Sequence, residues 1–490
     1  MKKYQAWIVI LSAGTLLAGC AVGPQYAKPV TPPIALASKQ TGEFNASVHL
    51  APWWTFFDEQ RLTQLISTAL THNHDIRQAQ ANLRSSRAVF DERSLDRLPT
   101  VTAQAGYQRG IAQQADANGK PERRLSETWR AGFDAQWEID LFGRLNRLSQ
   151  SAQARSEAAQ AELDLIQLTI AADVARAYYE GQGLQRRLDV ARAQAQSWRE
   201  TLKLVQARVG LGSGSPEERE NARANLLRSE AVIPPLAVAL QQMRFRLDVL
   251  TGHRPGHTTV EANAPSPAPL ARQLPLGDVD SLIRNRPDVV RAERMLAAST
   301  EDVGAATAEL YPRLSLGGFI GFFALRGSDL GSASRAFEIA PSISWPALRL
   351  GSARARLHGS QALSDGALAR YEQSLLQAQE DVEHAVTQLT QQQARLASLL
   401  QSATHGAAAL NIAMKRYRAG SGNYMAVLEN QRAMFEIRHE LAQAETASYI
   451  HVIALYKALG WGTDGSASNP IVAMRSGRDF TMASAPGIRK

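Results

Sequence analysis

Apolar and polar residues alternate strictly in two stretches of the first half of the chain. Val101, Ala103, Ala105 and Tyr107 alternate with Thr100, Thr102, Gln104 and Gln108; Trp129, Ala131, Phe133, Ala135, Trp137 and Ile139 alternate with Arg130, Asp134, Gln136, Glu138 and Asp140. A period of two belongs to a strand with one apolar and one polar face. It predicts strands at about 99–109 and 128–140, separated by a polar loop from about 110 to 126. A fainter version predicts two more, at about 312–323 (Leu314, Leu316, Ile320, Phe322) and 337–346 (Phe337, Ile339, Ile343, Trp345). Any one of them would also fit a soluble sheet with one wet face. Four together, each about ten residues long, suit tilted crossings of a bilayer, with Tyr107, Trp129, Trp137 and Trp345 at its interfaces.

The rest of the pattern is helical. Segments at about 58–97 and 278–310 are rich in Ala, Leu, Arg and Glu and end at Pro99 and Pro312, because a proline pushes the residue before it out of helical geometry. From about Gly143 to Arg208 there is no proline, and about 65 helical residues reach on the order of 100 Å. A return helix is predicted over about 216–250, kinked or broken at Pro234-Pro235. A second hairpin is predicted over about 352–417 and 424–459. Alanine and glutamine stand where an oily core would carry leucine or isoleucine, which suits close helix packing around an aqueous space.

The two halves repeat one order of elements. Asn73-His74-Asp75-Ile76 parallels Arg286-Pro287-Asp288-Val289, and Leu98-Pro99 parallels Tyr311-Pro312, both 213 positions apart. Trp137 and Trp345, Arg208 and Arg416, Gly212 and Gly420, and Gly252 and Gly460 match at 208. A period this long implies duplication of a whole module rather than a solenoid. The expected organisation is a signal peptide at 1–19, an N-terminal segment at 20–57, repeat one at 58–251, a Pro-rich linker at 252–277, repeat two at 278–460 and a tail at 461–490.

Four strands cannot close a membrane barrel, and open sheet edges are not tolerated in lipid. Several chains must therefore share one barrel. Two copies would give eight strands and three would give twelve. Eight-stranded interiors are filled by side chains, whereas charged and small residues on the polar faces here favour the wider trimer.

The N-terminus adds an address. Met1-Lys2-Lys3, an apolar run from Trp7 to Leu17, and Leu17-Ala18-Gly19 before the chain's single cysteine, Cys20, form a lipoprotein signal. Lipid on Cys20 would anchor the mature chain in the outer membrane, and it leaves no thiol for a disulfide. The net charge of +8 and pI near 9.6 come from basic residues interleaved with acidic ones, which reads as solvated helix faces and not as a nucleic-acid surface. No run of 18 apolar residues follows position 20, so a membrane span must be a barrel.

Several motifs together resemble the TolC/OprM-like outer-membrane efflux factors, in particular the lipoprotein (NodT-like) branch found with resistance-nodulation-division pumps. They are Cys20-Ala21-Val22-Gly23-Pro24-Gln25-Tyr26; Trp53-Trp54 with Phe57-Asp58 and Leu62; Trp137-Glu138-Ile139-Asp140-Leu141-Phe142-Gly143; Arg286-Pro287-Asp288-Val289 with Ala292-Glu293; Tyr417-Arg418-Ala419-Gly420; and Leu455-Tyr456-Lys457-Ala458-Leu459-Gly460. The resemblance spans nearly the whole mature chain. It implies an α+β membrane protein: a homotrimer with a twelve-stranded barrel, four strands per chain, continuous with a long periplasmic helical barrel and a mixed equatorial belt. It further implies a passive exit duct joined by a periplasmic adaptor to an inner-membrane pump of the resistance-nodulation-division type.

The inter-helix turns Arg208-Val209-Gly210-Leu211-Gly212-Ser213 and Arg416-Tyr417-Arg418-Ala419-Gly420-Ser421 need their glycines simply to reverse the chain. The resemblance implies that Val209, Gly210, Leu211, Gly212, Ala419 and Gly420 also dock the adaptor. Met425, Glu429 and Arg432 share one helical face. By resemblance that face lines the periplasmic gate, with Met425 as a plug, Glu429 as a carboxylate ring where relatives more often carry aspartate, and Arg432 as a salt-bridge partner; otherwise they are an ordinary surface set. Half one departs at Ser215-Pro216-Glu217-Glu218-Arg219-Glu220, where Glu217 and Arg219 occupy positions that are apolar in relatives.

No catalytic constellation is present in the sequence. Gly210-Leu211-Gly212-Ser213-Gly214 lacks the preceding strand and following lysine of a phosphate loop, and His253 and His257 lack the spacing and glutamate of a zinc protease. The expectation is a non-enzyme with no cofactor beyond the lipid on Cys20, no metal and no nucleic-acid partner. An outer-membrane duct for type I protein secretion remains the alternative to efflux.

Overall fold

The computed structural model describes residues 21–34, 36, 44–45, 52–115, 119–256, 274–275 and 279–460. The expected signal peptide, Cys20 and the tail from 461 lie outside the described residues, as does most of the linker. The fold is mostly helical, with a four-stranded sheet and a short two-stranded one. Its helices are α1 (Gln60–His72), α2 (His74–Leu95), α3 (Arg144–Gly210), α4 (Pro216–Ala231), α5 (Ile233–Leu250), α6 (Val279–Arg284), α7 (Pro287–Ala308), α8 (Leu350–Arg418) and α9 (Tyr424–Ala458). Its strands are β1 (Thr100–Ala115), β2 (Pro121–Ile139), β3 (Arg313–Ala324) and β4 (Arg335–Ser344). Two compact units are formed, one from 1–32, 78–163 and 287–377, the other from 33–77, 164–286 and 378–490.

The first unit holds the sheet, antiparallel in the order β1-β2-β3-β4. Registers align the apolar residues in rows: Ala103, Phe133, Ile320 and Phe337 lie side by side, as do Val101, Ala135, Gly318 and Ile339. That face is open, with Phe337 79%, Ile343 74% and Ile339 70% exposed. The β1–β2 hairpin is longer than its alternation predicts and takes in most of the expected polar loop, reaching Ala115 opposite Pro121. Beyond the Tyr107–Trp129 ring contact at 4.3 Å, the apolar face is interrupted where Arg109 pairs directly across with Glu127 at 3.2 Å, and it returns only at Ile111 opposite Leu125. Backbone pairing continues there with no continuous apolar face to mark it. Gly132 lies opposite Gly321, and a Cβ on either would meet the other's Cα within 2.8 Å, so these strands approach through paired glycines.

The segment after Cys20 is strapped onto this unit. Val22 N donates to Phe142 O at 3.2 Å, Gly23 (φ +88°) packs on the backbone of Gly304, and Tyr26 hydroxyl donates to the buried Glu293 carboxylate. Burial pushes the Tyr26 phenol up, and the Glu293 carboxylate beside it pushes it further. Burial would raise Glu293, but hydrogen bonds from Arg294 and Tyr26 outweigh it and hold the carboxyl low. Nearby, Arg147 and Glu301 form a buried ion pair at 2.7 Å between α3 and α7.

The second unit is organised by aromatic rings. A 3-10 turn, Trp53–Phe57, places Trp53 on Tyr456 (5.7 Å between centroids, 23° between planes) and Phe57 against Tyr179, which stacks on Tyr449 at 4.4 Å. Such pairs add specific geometry to apolar burial. Desolvation pushes these phenols up, Tyr449 to about 12.

Each expected single first helix is in fact two. Asn73 divides 58–97: its Oδ1 accepts from the backbone N–H of Asp75 (2.9 Å) and Ile76 (3.2 Å), capping α2, while Nδ2 donates to Leu250 O. Arg286-Pro287 divides 278–310 into α6 and α7. The expected return helix over 216–250 is also divided, at Val232, two residues before Pro234-Pro235. Two-residue strands, Phe44–Asn45 and Leu274–Pro275, pair in parallel.

Candidate functional site

Both turns at the ends of the long helices close in the same way. In the first, Gly212 N donates to Val209 O (3.0 Å) and Ser213 N to Arg208 O (2.9 Å); in the second, Gly420 N donates to Tyr417 O (3.0 Å) and Ser421 N to Arg416 O (3.0 Å). This is a Schellman motif around a left-handed residue, with Gly212 at φ +70° and Gly420 at φ +69°. Cβ atoms at Gly210, Gly212 and Gly420 would meet nothing within 4 Å, so the turns are open around them.

The apolar side chains at the turns differ in exposure. Leu211 is 84% exposed at the first turn, whereas Val209, expected to be exposed with it, is half-buried with its methyl against Gly214. Ala419 is exposed at the second, beside Tyr417, whose ring lies 5.1 Å from that of Tyr424.

The departure at Ser215-Pro216-Glu217-Glu218 has a local cause. Ser215 caps α4 by accepting from Glu218 N (3.1 Å), and Glu218 returns to Ser215 N (3.2 Å), a full capping box with Pro216 in the first turn. Glu217 sits in that first turn, where the helix dipole favours a carboxylate. The second hairpin uses Asn423, whose Oδ1 accepts from Met425 N at 3.1 Å.

Met425, Glu429 and Arg432 all lie exposed on α9, with Met425 53% exposed. Within the chain Arg432 pairs not with Glu429 but with Glu436, one turn further on, at 3.2 Å, and both partners are open to solvent. Glu429 has no ion pair among the described residues. Cys20 lies outside the described residues. Among the described residues no group of His, Cys, Asp or Glu is placed to hold a metal ion, and no helix is long and apolar enough to cross a membrane.

Long paired helices joined to a small antiparallel sheet with one exposed apolar face define an outer-membrane channel component. The pattern of the outer membrane efflux protein family matches residues 65–253 and again 279–461, and the chain belongs to that family. The solvent efflux pump outer membrane protein SrpC of Pseudomonas putida is 28% identical over 461 residues, 91% of this chain and 96% of that one. The outer membrane protein OprJ of Pseudomonas aeruginosa is 27% identical over 488 residues, 98% of this chain and all of that one. Among solved structures, the outer-membrane channel OprN superposes with a TM-score of 0.85 at 39% identity, covering 91% of this chain and 100% of that one. The open-state MtrE channel of Neisseria gonorrhoeae superposes at 0.77 with 25% identity, covering 91% and 100%. The chain is an outer-membrane efflux channel protein.

Sequence reasoning found the turns and the α9 face but missed what fixes the N-terminal strap. The signal was present in Gly23 and Gly304, which meet backbone to backbone, and in Gly143 (φ +80°), where a Cβ would meet Ala21 at 3.1 Å.

Proposed function

We propose that three copies of this chain close a twelve-stranded barrel in the outer membrane, continuous with a helical tunnel in the periplasm, and that the assembly is the passive exit duct of a tripartite efflux pump. The observation that carries this reading is the sheet: one face mostly apolar and largely open between Val101 and Tyr107 and their neighbours, and two outer strands, β1 and β4, each with no second partner strand among the described residues. Such edges need pairing in lipid, and further copies supply it. A polar face carrying Arg130, Asp134 and Glu338 suits a water-filled lumen better than a packed core. The double family match supports an internal duplication of the helix, strand-pair and hairpin module.

Lipid on Cys20 anchors the assembly in this reading. Leu211, with Gly212 and the Ala419-Gly420 turn, docks a periplasmic adaptor that links the duct to an inner-membrane pump of the resistance-nodulation-division type, and the Met425, Glu429, Arg432 face lines the gate. Efflux is favoured over protein secretion because relatives are named for efflux, SrpC for solvents and CusC of Escherichia coli for cations. Those two names share no cargo chemistry, which fits a duct whose selection lies in its pump.

The test is susceptibility to antimicrobials, solvents and dyes in a strain lacking the protein, complemented with wild type or Cys20→Ala. Sensitisation rescued by wild type supports efflux. Unchanged susceptibility together with a secreted protein missing from the medium would move the assignment to a secretion duct.

A further inference from the structure

The polar face of the sheet has an uneven charge balance. One row across it reads Thr102, Asp134, Phe319, Glu338. The rows on either side are Gln104, Gly132, Gly321, Ala336 and Thr100, Gln136, Gly317, Ala340, neither carrying a charge. Arg130, two rows away, reaches back along β2 to Asp134 (2.5 Å) and lies 4.0 Å over the Phe319 ring. Phe319 is 93% buried because Gly132 beside it has no side chain; a Cβ there would meet the ring at 2.8 Å. Arg130 is therefore held by a carboxylate and an aromatic face at once, and its charge is cancelled by Asp134.

Glu338 is left. It is exposed, makes no hydrogen bond or ion pair among the described residues, and lines a cavity of about 350 Å³ with Thr102, Arg130, Asp134 and Phe319. It sits on the edge strand β4, so its other neighbour in a closed barrel is strand β1 of the next copy. The polar face of β1 offers Thr100, Thr102, Gln104, Gly106, Gln108 and Gly110. None is a cation, so no register of that seam between Thr100 and Gly110 neutralises Glu338.

We infer that Glu338 sets the small-ion preference of the barrel lumen, three copies forming a carboxylate ring that favours cations over anions. The inference rests on the three-chain barrel proposed above. Rings of carboxylates are the device by which cation-preferring pores are built, and a ring facing water acts within a Debye length, about 10 Å at 0.1 M salt.

The experiment is the reversal potential of purified channels in planar bilayers under a KCl gradient. Wild type passes K⁺ in preference to Cl⁻; Glu338→Gln lowers that ratio several-fold, Glu338→Lys inverts it, and Asp134→Asn, which releases the charge of Arg130, lowers it as well. Glu338→Cys controls for misfolding, because the chain's single other cysteine, Cys20, is the residue proposed above to carry the lipid. On one and the same open channel, a sulfonate-bearing thiol reagent restores cation preference and an ammonium-bearing one reverses it. Conducting channels whose ratio is indifferent to Glu338→Gln and to both reagents overturn the inference and leave the barrel standing. Purified protein that forms no conducting pore in any variant overturns the barrel reading itself.

Discussion

Asn73 and Arg286 make the same contact in the two halves of the chain: Asn73 Nδ2 donates to the Leu250 carbonyl at 3.0 Å, and Arg286 Nη1 to the Ala458 carbonyl at 2.8 Å. Donors 213 positions apart thus meet acceptors 208 apart, each at the end of the return helix of its own half. Both donors are buried, and Arg286 also bonds Ala378 O (3.3 Å) and pairs with Asp381 (3.0 Å). Removing a buried donor to several acceptors costs about 2 kcal/mol or more. Arg286→Ala is expected to lower the thermal unfolding midpoint clearly more than Arg370→Ala, a substitution at an exposed arginine, with Arg286→Lys intermediate because an ammonium cannot span the same three acceptors. A midpoint unchanged in Arg286→Ala would show the contact to be dispensable.

How far the sequence discloses this fold depends on the range of the interactions involved. Alternation marks the sheet where one face is continuously apolar, but in the upper β1–β2 hairpin Arg109 against Glu127 breaks that face and only Ile111 opposite Leu125 resumes it, so the backbone pairing there has no clear signature. Glycines 212 and 420 announce their turns because the left-handed backbone they need is local. Asn73 reads as one more polar residue in a helix until Leu250, 177 positions away, is known to accept from it. The α9 face has the same limit. Met425, Glu429 and Arg432 fall on one side by spacing alone, yet which carboxylate Arg432 selects is decided by rotamers, and Glu436 takes it.

The glycines divide into two classes with different expected costs. At Gly212 and Gly420 the surroundings are open, so alanine meets only the backbone penalty of the left-handed region, about 1–2 kcal/mol, and asparagine less. At Gly252 (φ +78°) a Cβ would meet His72 O at 2.5 Å, and at Gly460 (φ +70°) it would meet Arg286 Cγ at 2.6 Å. Gly252→Ala and Gly460→Ala should therefore fall well below Gly212→Ala in a melting series. Equal melting across all four would mean that the close contacts relax freely.

Acid should loosen the second unit. Burial lowers His451 below its ordinary value of 6.5, and burial followed by the charge of Arg187 does the same to His439. Both bind protons less readily in the fold than in the unfolded chain, so their contribution is present above about pH 6.5 and is lost as pH falls through and below that value. The midpoint of thermal unfolding is expected to drop between neutral pH and pH 5, and His451→Gln to flatten that slope. A slope as steep in a His451→Gln/His439→Gln double variant as in wild type would place the proton uptake elsewhere.

The exposed turns give a binding prediction that separates Leu211 from Val209. Leu211 projects fully from its turn, whereas Val209 packs under Gly214. Leu211→Asp should abolish capture of the periplasmic adaptor proposed as its partner and leave thermal unfolding unchanged, because an exposed side chain contributes little to folding. Val209→Asp should damage both, since it forces a carboxylate against the turn. Adaptor capture that survives Leu211→Asp would move the docking surface off this turn.

The α9 face yields the last prediction. Arg432 and Glu436 form an exposed pair one turn apart, and such pairs stabilise a helix only slightly, so Arg432→Ala and Glu436→Ala should each leave unfolding unchanged. If Glu429 and Arg432 close the duct between copies, the Glu429→Ala/Arg432→Ala double variant leaks: vancomycin, too large for ordinary outer-membrane entry, becomes several-fold more potent. Glu436→Ala frees Arg432 from its partner within the chain and should, if anything, tighten closure, with no gain in vancomycin potency. Sensitivity to vancomycin in Glu436→Ala equal to that of the double variant would assign the seal to the intrachain pair instead of to a ring of Glu429 carboxylates.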